Sequence, residues 1–360
     1  MRRPACFLLV VIACLSWPGQ ARAAAEPDLT ATAAVLMEAG TGQLLYDRRA
    51  GAELPPASTT KVLTAILALE LGRLDAPVKV SRYAAATPGA SIYLQTGEVL
   101  PLIDLVKGAL INSGNDAAVA IAESLAGTEA DFAWLMNRKA RQLGAYHTHF
   151  VNPNGLPAPG HYTTARDLAL MARYGLGNSL FRRLVATVSD QIPAPDGWRY
   201  LYNTNRLLGT YPGADGVKTG TTDAAGQCLV ASATRQGRQL IAVVLGSCDR
   251  YADTRALLDY GFNSLYAEAA AAGEPVAQVY VKNGVTTSVA VTPAMTVGYT
   301  VTMAKAALLE KRILLPAYVK APVHRGDELG RVQILFQGQE VASTALVAAR
   351  DVAARPIFKR

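Results

Sequence analysis

Strand-like segments separated by turn residues occur in two distant parts of this chain, and they constrain its fold more than any other feature. Residues 33–38 and 43–47 flank a glycine-containing turn, which predicts a β-hairpin. Three more strand patterns lie much later, at residues 217–222, 227–234 and 239–245. The part between, from Ser58 to about Tyr174, is rich in helical patterns. Strands early and late around central helices predict an α/β domain in which helices cover an antiparallel sheet.

The pattern changes towards the C-terminus. Residues 253–266 predict a helix, and the alanine-rich segment 267–275 predicts the end of that helix followed by a linker. Beyond it, five short segments alternate or carry β-branched residues, at 276–281, 288–291, 298–302, 332–336 and 340–345. Turns at 282–284 and 337–339 separate some of them. We therefore expect a second domain over 275–360, a small all-β sandwich.

A serine and a lysine three residues apart, Ser58 and Lys61, stand at the start of a predicted helix. Two prolines precede the pair, an apolar run follows at 62–71, and Gly72 ends it. Positions i and i+3 share a helix face, so the lysine amine can reach the serine hydroxyl. A neutral lysine there can activate a serine nucleophile, whereas the alternative is an ordinary helix start with a solvated lysine. No other Ser-x-x-Lys occurs in the sequence.

Ser113 and Asn115 form a second motif, in a tight loop between an apolar helical stretch at 102–111 and a helix of small residues at 116–126. Because the two residues are two positions apart in such a loop, the Ser113 hydroxyl and the Asn115 amide can point towards the same position. Serine and asparagine are also common helix caps, and that alternative stays open on this motif alone.

Lys218, Thr219 and Gly220 form a third motif, which opens the late strand region after a turn at 212–216. Glycine at a strand edge lets a bound peptide approach the backbone closely. The alternative is a strand start with an exposed lysine. A phosphate-binding loop is excluded, because Val217 rather than glycine stands before the lysine.

In the order Ser-x-x-Lys, Ser-x-Asn and Lys-Thr-Gly, the three motifs together resemble those of the active-site serine, penicillin-interacting enzymes. The chain resembles one family of these more closely, the D-alanyl-D-alanine carboxypeptidases or low-molecular-mass penicillin-binding proteins, from about Ala33 to the C-terminus. Further segments carry this resemblance, at 41–46, 55–61, 91–93, 150–156, 161–167 and 215–220. It implies a β-lactamase/transpeptidase-like catalytic domain over 24–270, and the family also has a C-terminal β-sandwich.

The resemblance implies a catalytic role for four of the motif residues. Ser58 would be the acylated nucleophile and Lys61 its general base. Ser113 and Asn115 would line the opposite wall, relaying a proton and holding the substrate amide. A second ammonium group close by, that of Lys218, would help to keep Lys61 neutral.

The resemblance also implies how the substrate would be held. Lys218 and Thr219, with Gly220 at the strand edge, would bind the terminal carboxylate of the peptide. The backbone N–H groups of the nucleophile and of Thr221 would form an oxyanion hole. Arg250 falls where the family often has a basic residue near the carboxylate pocket. This mechanism needs no metal ion and no organic cofactor.

The N-terminus predicts a secretory signal peptide over residues 1–23. Arg2 and Arg3 precede an apolar stretch at 5–15, which is too short to span a bilayer, and small residues surround Ala23. A twin-arginine signal and a lipoprotein signal have less support. We therefore expect an exported protein, in the periplasm, the cell wall or the medium. Residues 355–360 are too short for the C-terminal amphipathic helix of many family members, so we expect membrane contact to be at most peripheral.

The net charge, the cysteines and the histidines add little to the functional prediction. The formal net charge is +7, and it falls to +4 without the three arginines of residues 1–23. No basic run with interleaved aromatic residues favours nucleic-acid binding. Of the four cysteines, Cys228 and Cys248 remain after processing; they could pair across a hairpin, but buried free thiols are favoured. His147 and His149 lack clustered partners for a metal, and His161 is interpreted as ordering a loop.

The sequence thus predicts a serine-type D-Ala-D-Ala carboxypeptidase that removes the terminal D-Ala from peptidoglycan stem peptides and is acylated by β-lactams. A D,D-endopeptidase that cuts peptidoglycan crosslinks is the alternative. A β-lactamase is less favoured, because Gly114 replaces the aspartate of a Ser-Asp-Asn motif and no glutamate is placed to drive deacylation. A non-catalytic wall-binding protein is the remaining class, and the intact motif residues argue against it.

Overall fold

The computed structural model describes residues 8–13 and 26–356, of which residues 8–13, 264, 266 and 268 are described as backbone only. The described residues divide into two units, Glu26–Gly261 and a second that contains residues 262–356 and strand residues 8–13. Among the described residues, no helix is both long and apolar enough to cross a bilayer.

The described α-helices all begin within the first unit. They are α1 Lys61–Leu71, α2 Arg82–Ala85, α3 Leu102–Leu110, α4 Asn115–Ala126, α5 Glu129–Gln142, α6 Ala165–Gly177, α7 Ser179–Ala186 and α8 Arg250–Asp259. Three short helical segments of other types are the 3-10 turns Ala57–Thr60 and Met303–Leu308 and the π-turn Tyr260–Ser264.

Strands occur in both units. Strand β1 Leu8–Ala13 belongs to the second unit. The strands of the first unit are β2 Ala33–Glu38, β3 Leu44–Arg48, β4 Pro77–Lys79, β5 Val99–Pro101, β6 Ser189–Ala194, β7 Gly197–Tyr202, β8 Ala214–Thr222, β9 Gly226–Arg235 and β10 Arg238–Ser247. The later strands are β11 Leu265–Ala270, β12 Ala277–Lys282, β13 Ser288–Pro293, β14 Val297–Thr302, β15 Leu309–Pro316, β16 Val319–Lys320, β17 Glu328–Phe336 and β18 Gln339–Ala348.

A five-stranded antiparallel sheet in the order β3-β2-β10-β9-β8 forms the centre of the first unit. The middle residues of β9 and β10 are buried without alternation, so both faces of the sheet are covered, and helices α6 and α8 both pack against β10. The early hairpin and the three late strands predicted from the sequence are therefore confirmed, and they share one sheet. Strand β8 lies at an edge of it.

Helix α4, like helix α1, is buried over its first two turns. Its residues 115–122 are all buried, and four of them are alanine, so neighbouring helices can approach it closely. Helices α1, α3 and α5 pack against it. This packing fixes the N-terminus of α4, where Asn115 lies, relative to α1.

The sequence pattern predicts Ser58 at the head of an α-helix, and the structure corrects this prediction. Ser58 lies in the 3-10 turn Ala57–Thr60, and the α-helix begins at Lys61. Ala57 has a φ of +48°, in the left-handed region that non-glycine residues rarely adopt, so a regular α-helix cannot include it. The spacing of three residues still places Lys61 beside Ser58.

The second unit is built of strands, which confirms the predicted all-β domain. Its main sheet has the order β1-β15-β17-β18-β13-β12-β16, and β11 pairs with β14 in a separate two-stranded sheet. The five predicted strands correspond to β12, β13, β14, β17 and β18. Strand β1 covers part of the segment interpreted as a signal peptide; the rest of residues 1–23 lies outside the described residues.

Residues 253–275 were predicted wrongly in part. Helix α8 ends at Asp259, and the alanine-rich segment forms strand β11 instead of a helix end with a linker. Pairing with β14 along residues 265–270 outweighs the intrinsic helix preference of alanine. Because of that pairing, the second unit begins at Phe262, before the boundary expected near residue 270.

Candidate active site

Side-chain hydrogen bonds hold the turn that carries Ser58. The hydroxyl of Thr59 donates to the Pro56 carbonyl at 2.6 Å, and the hydroxyl of Thr60 donates to the Ala57 carbonyl at 2.9 Å. Both threonines are buried. The turn is therefore a fixed platform for the serine hydroxyl, although its backbone is irregular.

A buried histidine supports the same turn. The backbone N–H of Val151 donates to Nδ1 of His161 at 3.1 Å, so the proton of the neutral ring lies on Nε2, which is 3.0 Å from the Thr60 hydroxyl oxygen. Burial, with a smaller effect of His149, lowers the pKa of His161 to about 4. His161 is thus neutral at physiological pH, and its ring hydrogen bonds hold Val151 and Thr60 rather than Ser58.

Lys61 lies 2.9 Å from Ser58, measured between Nζ and Oγ, and its side chain is fully buried. Its Nζ also donates to Oδ1 of Asn115 at 2.6 Å and to the backbone carbonyl of Asn154 at 2.8 Å. Burial, followed by the positive charge of Lys218, lowers the pKa of Lys61 well below its usual value, against an opposing effect of Asp116. A neutral amine has two protons and one lone pair, so two N–H groups point to the two carbonyl oxygens and the lone pair remains for the serine hydroxyl.

The start of helix α4 provides the partner of Lys61. Nδ2 of Asn115 donates to the Pro88 carbonyl at 2.7 Å, which orients the amide oxygen towards the lysine. Next to it, the buried carboxylate of Asp116 accepts hydrogen bonds from the Ser91 hydroxyl at 2.6 Å and from the Ile92 N–H at 3.1 Å. The loop containing Ser91 is therefore tied to the same helix end.

Ser113 has a φ of +66° and is buried at the side of the groove. Its hydroxyl makes no hydrogen bond to any residue of the described chain and is open to the groove that Ser113 lines. Backbone strain and unpaired polar groups often occur at functional sites. The helix-cap interpretation of Ser113 does not hold, because the N-cap residue of α4 is Gly114 and no side chain caps the helix.

Strand β8 carries the third motif along the groove. Lys218 is 1% exposed, and its Nζ donates to the Thr219 carbonyl at 3.1 Å. Burial, followed by the charge of Arg250, lowers the pKa of Lys218 to about 7. The hydroxyls of Thr219 and Thr204 lie 2.6 Å apart. Lys218 is thus buried beneath the groove, not exposed at a strand start.

Gly220 brings strand β8 against the turn that carries Ser58. A Cβ placed on Gly220 would lie 2.9 Å from the backbone nitrogen of Ser58 and 3.0 Å from the Pro56 carbonyl oxygen. Only glycine permits this approach without a shift of one of the two segments. The backbone N–H groups of Ser58 and Thr221 therefore belong to adjoining stretches of chain.

Arg250 fixes the end of strand β8. One of its terminal nitrogens donates to the carbonyls of Gly220 at 2.7 Å and Cys228 at 3.0 Å, and the other donates to the Thr221 hydroxyl. Its Nε donates to the Gln227 side chain at 3.1 Å. Arg250 thus connects strands β8 and β9 and also lines the groove.

A groove of about 600 Å³ brings the predicted site together. Six of the predicted residues line it, namely Ser58, Ser113, Thr219, Gly220, Thr221 and Arg250. Lys61, Asn115 and Lys218 are buried against these residues. Sequence reasoning missed several further lining residues, namely Asn112, Asn203, Thr204, Arg206, Gln227 and Tyr251. Asn203 and Thr204 directly follow strand β7, and no motif marks them.

The remaining reactive side chains lie elsewhere. In the part of the chain that the structure describes, no group of three or more His, Cys, Asp or Glu side chains is placed to hold a metal ion. His149 contacts the Gly160 carbonyl, and His147 lies 3.7 Å from Glu53. Cys228 is buried and Cys248 is exposed, and both are free thiols.

Comparison with known proteins decides the family. Residues 20–249 match the family described as D-alanyl-D-alanine carboxypeptidase. The chain belongs to this family. Residues 266–354 match the C-terminal domain of penicillin-binding protein 5. The protein is therefore an enzyme of a serine-type D-Ala-D-Ala carboxypeptidase family, as the sequence motifs predict, with a transpeptidase-like domain followed by a β-rich domain.

Individual relatives support this assignment. The chain is 37% identical to D-alanyl-D-alanine carboxypeptidase DacF of Bacillus subtilis, covering 89% of this chain and 86% of that protein. It is 36% identical to DacC of Escherichia coli, covering 66% and 62%. Among solved structures, penicillin-binding protein 5 of Haemophilus influenzae has a TM-score of 0.72 at 28% identity, covering 92% of this chain and 99% of that one. DacD of Francisella tularensis has a TM-score of 0.71 at 30% identity, covering 95% and 98%.

Proposed function

We propose that this protein removes the terminal D-Ala from peptidoglycan stem peptides through an ester at Ser58. The observation that carries the proposal is the arrangement around Lys61, whose Nζ lies 2.9 Å from the Ser58 hydroxyl while two carbonyl oxygens accept from the same nitrogen. A buried, neutral amine so held is a general base aimed at one serine.

Acylation follows from this arrangement. The proton of the Ser58 hydroxyl passes to the lone pair of Lys61, and the serine oxygen attacks the carbonyl carbon of the penultimate D-Ala. The C–N bond to the terminal D-Ala then breaks, and its nitrogen takes a proton as it leaves. Ser113, whose hydroxyl is unpaired beside the groove, is the residue we assign to carry that proton from the lysine to the leaving amine.

The developing oxyanion needs donors at fixed positions. We assign this role to the backbone N–H groups of Ser58 and Thr221. The close packing of Gly220 on the Ser58 nitrogen supports the assignment, because it brings strand β8 beside the nucleophile turn. Backbone donors held in this way cost no reorganisation during the reaction.

The terminal carboxylate of the peptide gives the site its specificity. We assign its recognition to Lys218 and Thr219, with Gly220 leaving room for the peptide backbone and Arg250 adding positive charge. A bound carboxylate would raise the pKa of Lys218 from about 7 and keep the ammonium charged. The side chain of Asn115, which its hydrogen bond to the Pro88 carbonyl already orients, would bind the substrate amide in addition to Lys61.

Water then hydrolyses the ester and regenerates Ser58. A β-lactam would acylate the same hydroxyl, since its ring carbonyl stands in for the scissile amide. We further propose that residues 1–23 are removed during export and that the protein acts outside the cytoplasmic membrane, where such peptides occur. Detection of the intact N-terminus in an exported fraction would count against this processing.

The deciding experiment is release of D-alanine from a short peptide that ends in D-Ala-D-Ala. We expect release by the wild type, none by Ser58→Ala, and wild-type release by Ser179→Ala, which changes an exposed serine at the start of α7. If wild type releases nothing from this peptide but cleaves crosslinked wall fragments, the protein is a D,D-endopeptidase and the proposal is wrong.

A further inference from the structure

The hairpin of strands β6 and β7 presents three aromatic side chains to solvent. Trp198, Tyr200 and Tyr202 alternate with inward-facing residues, and their exposed fractions are 59%, 63% and 65%. Successive side chains of a strand point to opposite faces, so these three share one face. None of them makes a side-chain hydrogen bond or ring contact within the described residues. We call these three residues the aromatic face.

The opposite face of the hairpin is anchored firmly. Arg199 donates to both carboxylate oxygens of Glu98, at 3.0 and 3.2 Å, and both side chains of this pair are largely buried. Ile192 and Leu201 are fully buried in the core. Lys107 pairs with Asp190 at 3.3 Å. The aromatic face therefore stands on a rigid support.

The neighbouring strand adds a different chemistry to this surface. The cross-strand partners of Trp198, Tyr200 and Tyr202 are Pro193, Gln191 and Ser189 respectively. All three partners are exposed. The surface thus combines aromatic rings with an amide and a hydroxyl, and its six residues carry no charge.

One end of the aromatic face, at Tyr202, adjoins residues that line the groove. Asn203 and Thr204, which line the groove, follow Tyr202 directly in the chain. The backbone N–H of Tyr202 also lies 3.5 Å from the side-chain oxygen of Asn112, another groove residue. Four residues of extended strand span roughly 13 Å, so the rings from Tyr202 to Trp198 lead that far from the groove.

We propose that the aromatic face binds sugar rings of the glycan strand that carries the stem peptide. This inference rests on the proposed function, which places a stem peptide in the groove. A pyranose ring has C–H groups on its faces and hydroxyl and amide groups at its edge. Aromatic rings can pack on the C–H faces of the sugar, and the side chains of Gln191 and Ser189 can form hydrogen bonds with the groups at its edge. A row of rings over roughly 13 Å can contact several successive sugars of a glycan strand, whereas a single sugar would contact only part of the row.

A lipid surface is the other partner that exposed aromatic residues could fit. Membrane-binding faces combine apolar side chains with lysine or arginine residues that meet anionic head groups. Here the six residues of the surface include neither, and half of them are polar or proline. Arg199 lies on the opposite face, where its charge is taken up by Glu98. The chemistry of the surface therefore favours a glycan.

The test compares two sets of substitutions in the full-length protein. The first replaces Trp198, Tyr200 and Tyr202 by alanine. The matched control replaces Trp134 and Tyr146, two exposed aromatic residues of the same unit outside the hairpin and the groove, by alanine. Binding is measured to glycan strands freed of their peptides by an amidase, and D-alanine release is measured on a short peptide and on intact wall polymer.

We expect the triple variant to bind the glycan about tenfold more weakly than wild type, the loss typical of truncated aromatic contacts. Its release of D-alanine from wall polymer should fall similarly, while release from the short peptide stays at the wild-type level and the control variant matches wild type throughout. Equal glycan binding by all three proteins would overturn the inference. So would loss of binding to phosphatidylglycerol vesicles with unchanged glycan binding, which would identify a membrane face.

The two proposals remain distinguishable. If wild type released no D-alanine from the short peptide while glycan binding still depended on the aromatic face, the carboxypeptidase proposal would fail and the glycan surface would stand. If release from the short peptide occurred and glycan binding did not depend on the hairpin, only the glycan surface would fail.

Discussion

Gly155 lies so close to Ala57 that no side chain fits between them: a Cβ on Gly155 would come within 1.8 Å of the Ala57 carbonyl oxygen and 3.0 Å of the Ser58 nitrogen. Gly155 has a φ of +87°, and its N–H is held by the side chain of Asn152 at 2.8 Å. The preceding residue, Asn154, accepts the hydrogen bond from Lys61. One loop therefore supports both the turn that carries Ser58 and the side chain of Lys61.

Gly155→Ala should displace the Ser58 turn and slow acylation by about 100-fold, since small errors in the position of a nucleophile have effects of that size. The measurement is the rate of acylation by a labelled penicillin. Gly177→Ala is the matched control, because no atom lies within 4 Å of the added Cβ. Wild-type acylation by Gly155→Ala would show that the turn does not depend on this contact.

Lys61→Ala should abolish the general base and lower the acylation rate by about 10²- to 10⁴-fold. Lys61→Arg should fail as well, because a guanidinium stays protonated. The labelled-penicillin assay applies again, with Lys79→Ala, an exposed lysine on β4, as control. Normal acylation by Lys61→Ala would contradict the assignment of the base.

The pH dependence of kcat/KM should reflect the protonation of Lys218, which the positive charge of Arg250 influences. Recognition of a carboxylate needs the Lys218 ammonium, so kcat/KM should fall as the pH rises through the pKa of about 7. Arg250→Gln removes a positive charge that lowers this pKa, so it should move the decline to higher pH while raising KM. Arg255→Gln, which alters a residue outside the groove, should leave the profile unchanged. An unmoved decline in Arg250→Gln would exclude this coupling.

His161 should make the protein sensitive to acid. Its folded-state pKa of about 4 is below the unfolded value of 6.5, so the unfolded state binds the proton more readily between these pH values. Its contribution to stability is complete above pH 6.5 and is lost as the pH falls towards 4, by about 3 kcal/mol in all. The non-ionisable variant His161→Gln should lose less stability than wild type over that window in denaturant titrations. Parallel curves for the two proteins would contradict this.

The two cysteines should differ in reactivity. Cys248 is exposed, whereas Cys228 is buried and burial raises the pKa of its thiol. A maleimide should label one thiol per molecule in the native exported protein, and none in the variant Cys248→Ser. Labelling of two thiols in native protein, or of none, would be inconsistent with this structure.

Much of the site could be predicted because its parts are local in the sequence. The spacing of Ser58 and Lys61 places them together in any helical turn, and the strand patterns at 217–245 place Lys218 on a sheet. The partner of Lys61 on the far side could not be predicted: the Asn154 carbonyl is 93 residues away, and a backbone oxygen leaves no signal in residue type. The two groups come into contact only when the tertiary structure has formed.

Errors arose where tertiary pairing opposed local preference. Residues 265–270 have helix-favouring composition, yet they pair with β14. The start of α1 was placed too early because the sequence does not show the positive φ of Ala57. The hairpin at residues 189–202 was not anticipated, and its alternating aromatic residues were the signal that could have predicted it.

Strand β8 ends the central sheet, and a strand without a neighbour can recruit strands from other molecules and cause aggregation. In this protein the nucleophile turn packs against β8 at Gly220, and Thr204 packs against it at Thr219. A folded sheet from another molecule would have to displace that turn to pair with this edge, whereas the single extended peptide of the proposed function would not. The contacts that cover strand β8 should thus also oppose edge-to-edge pairing of two copies of the protein through this strand.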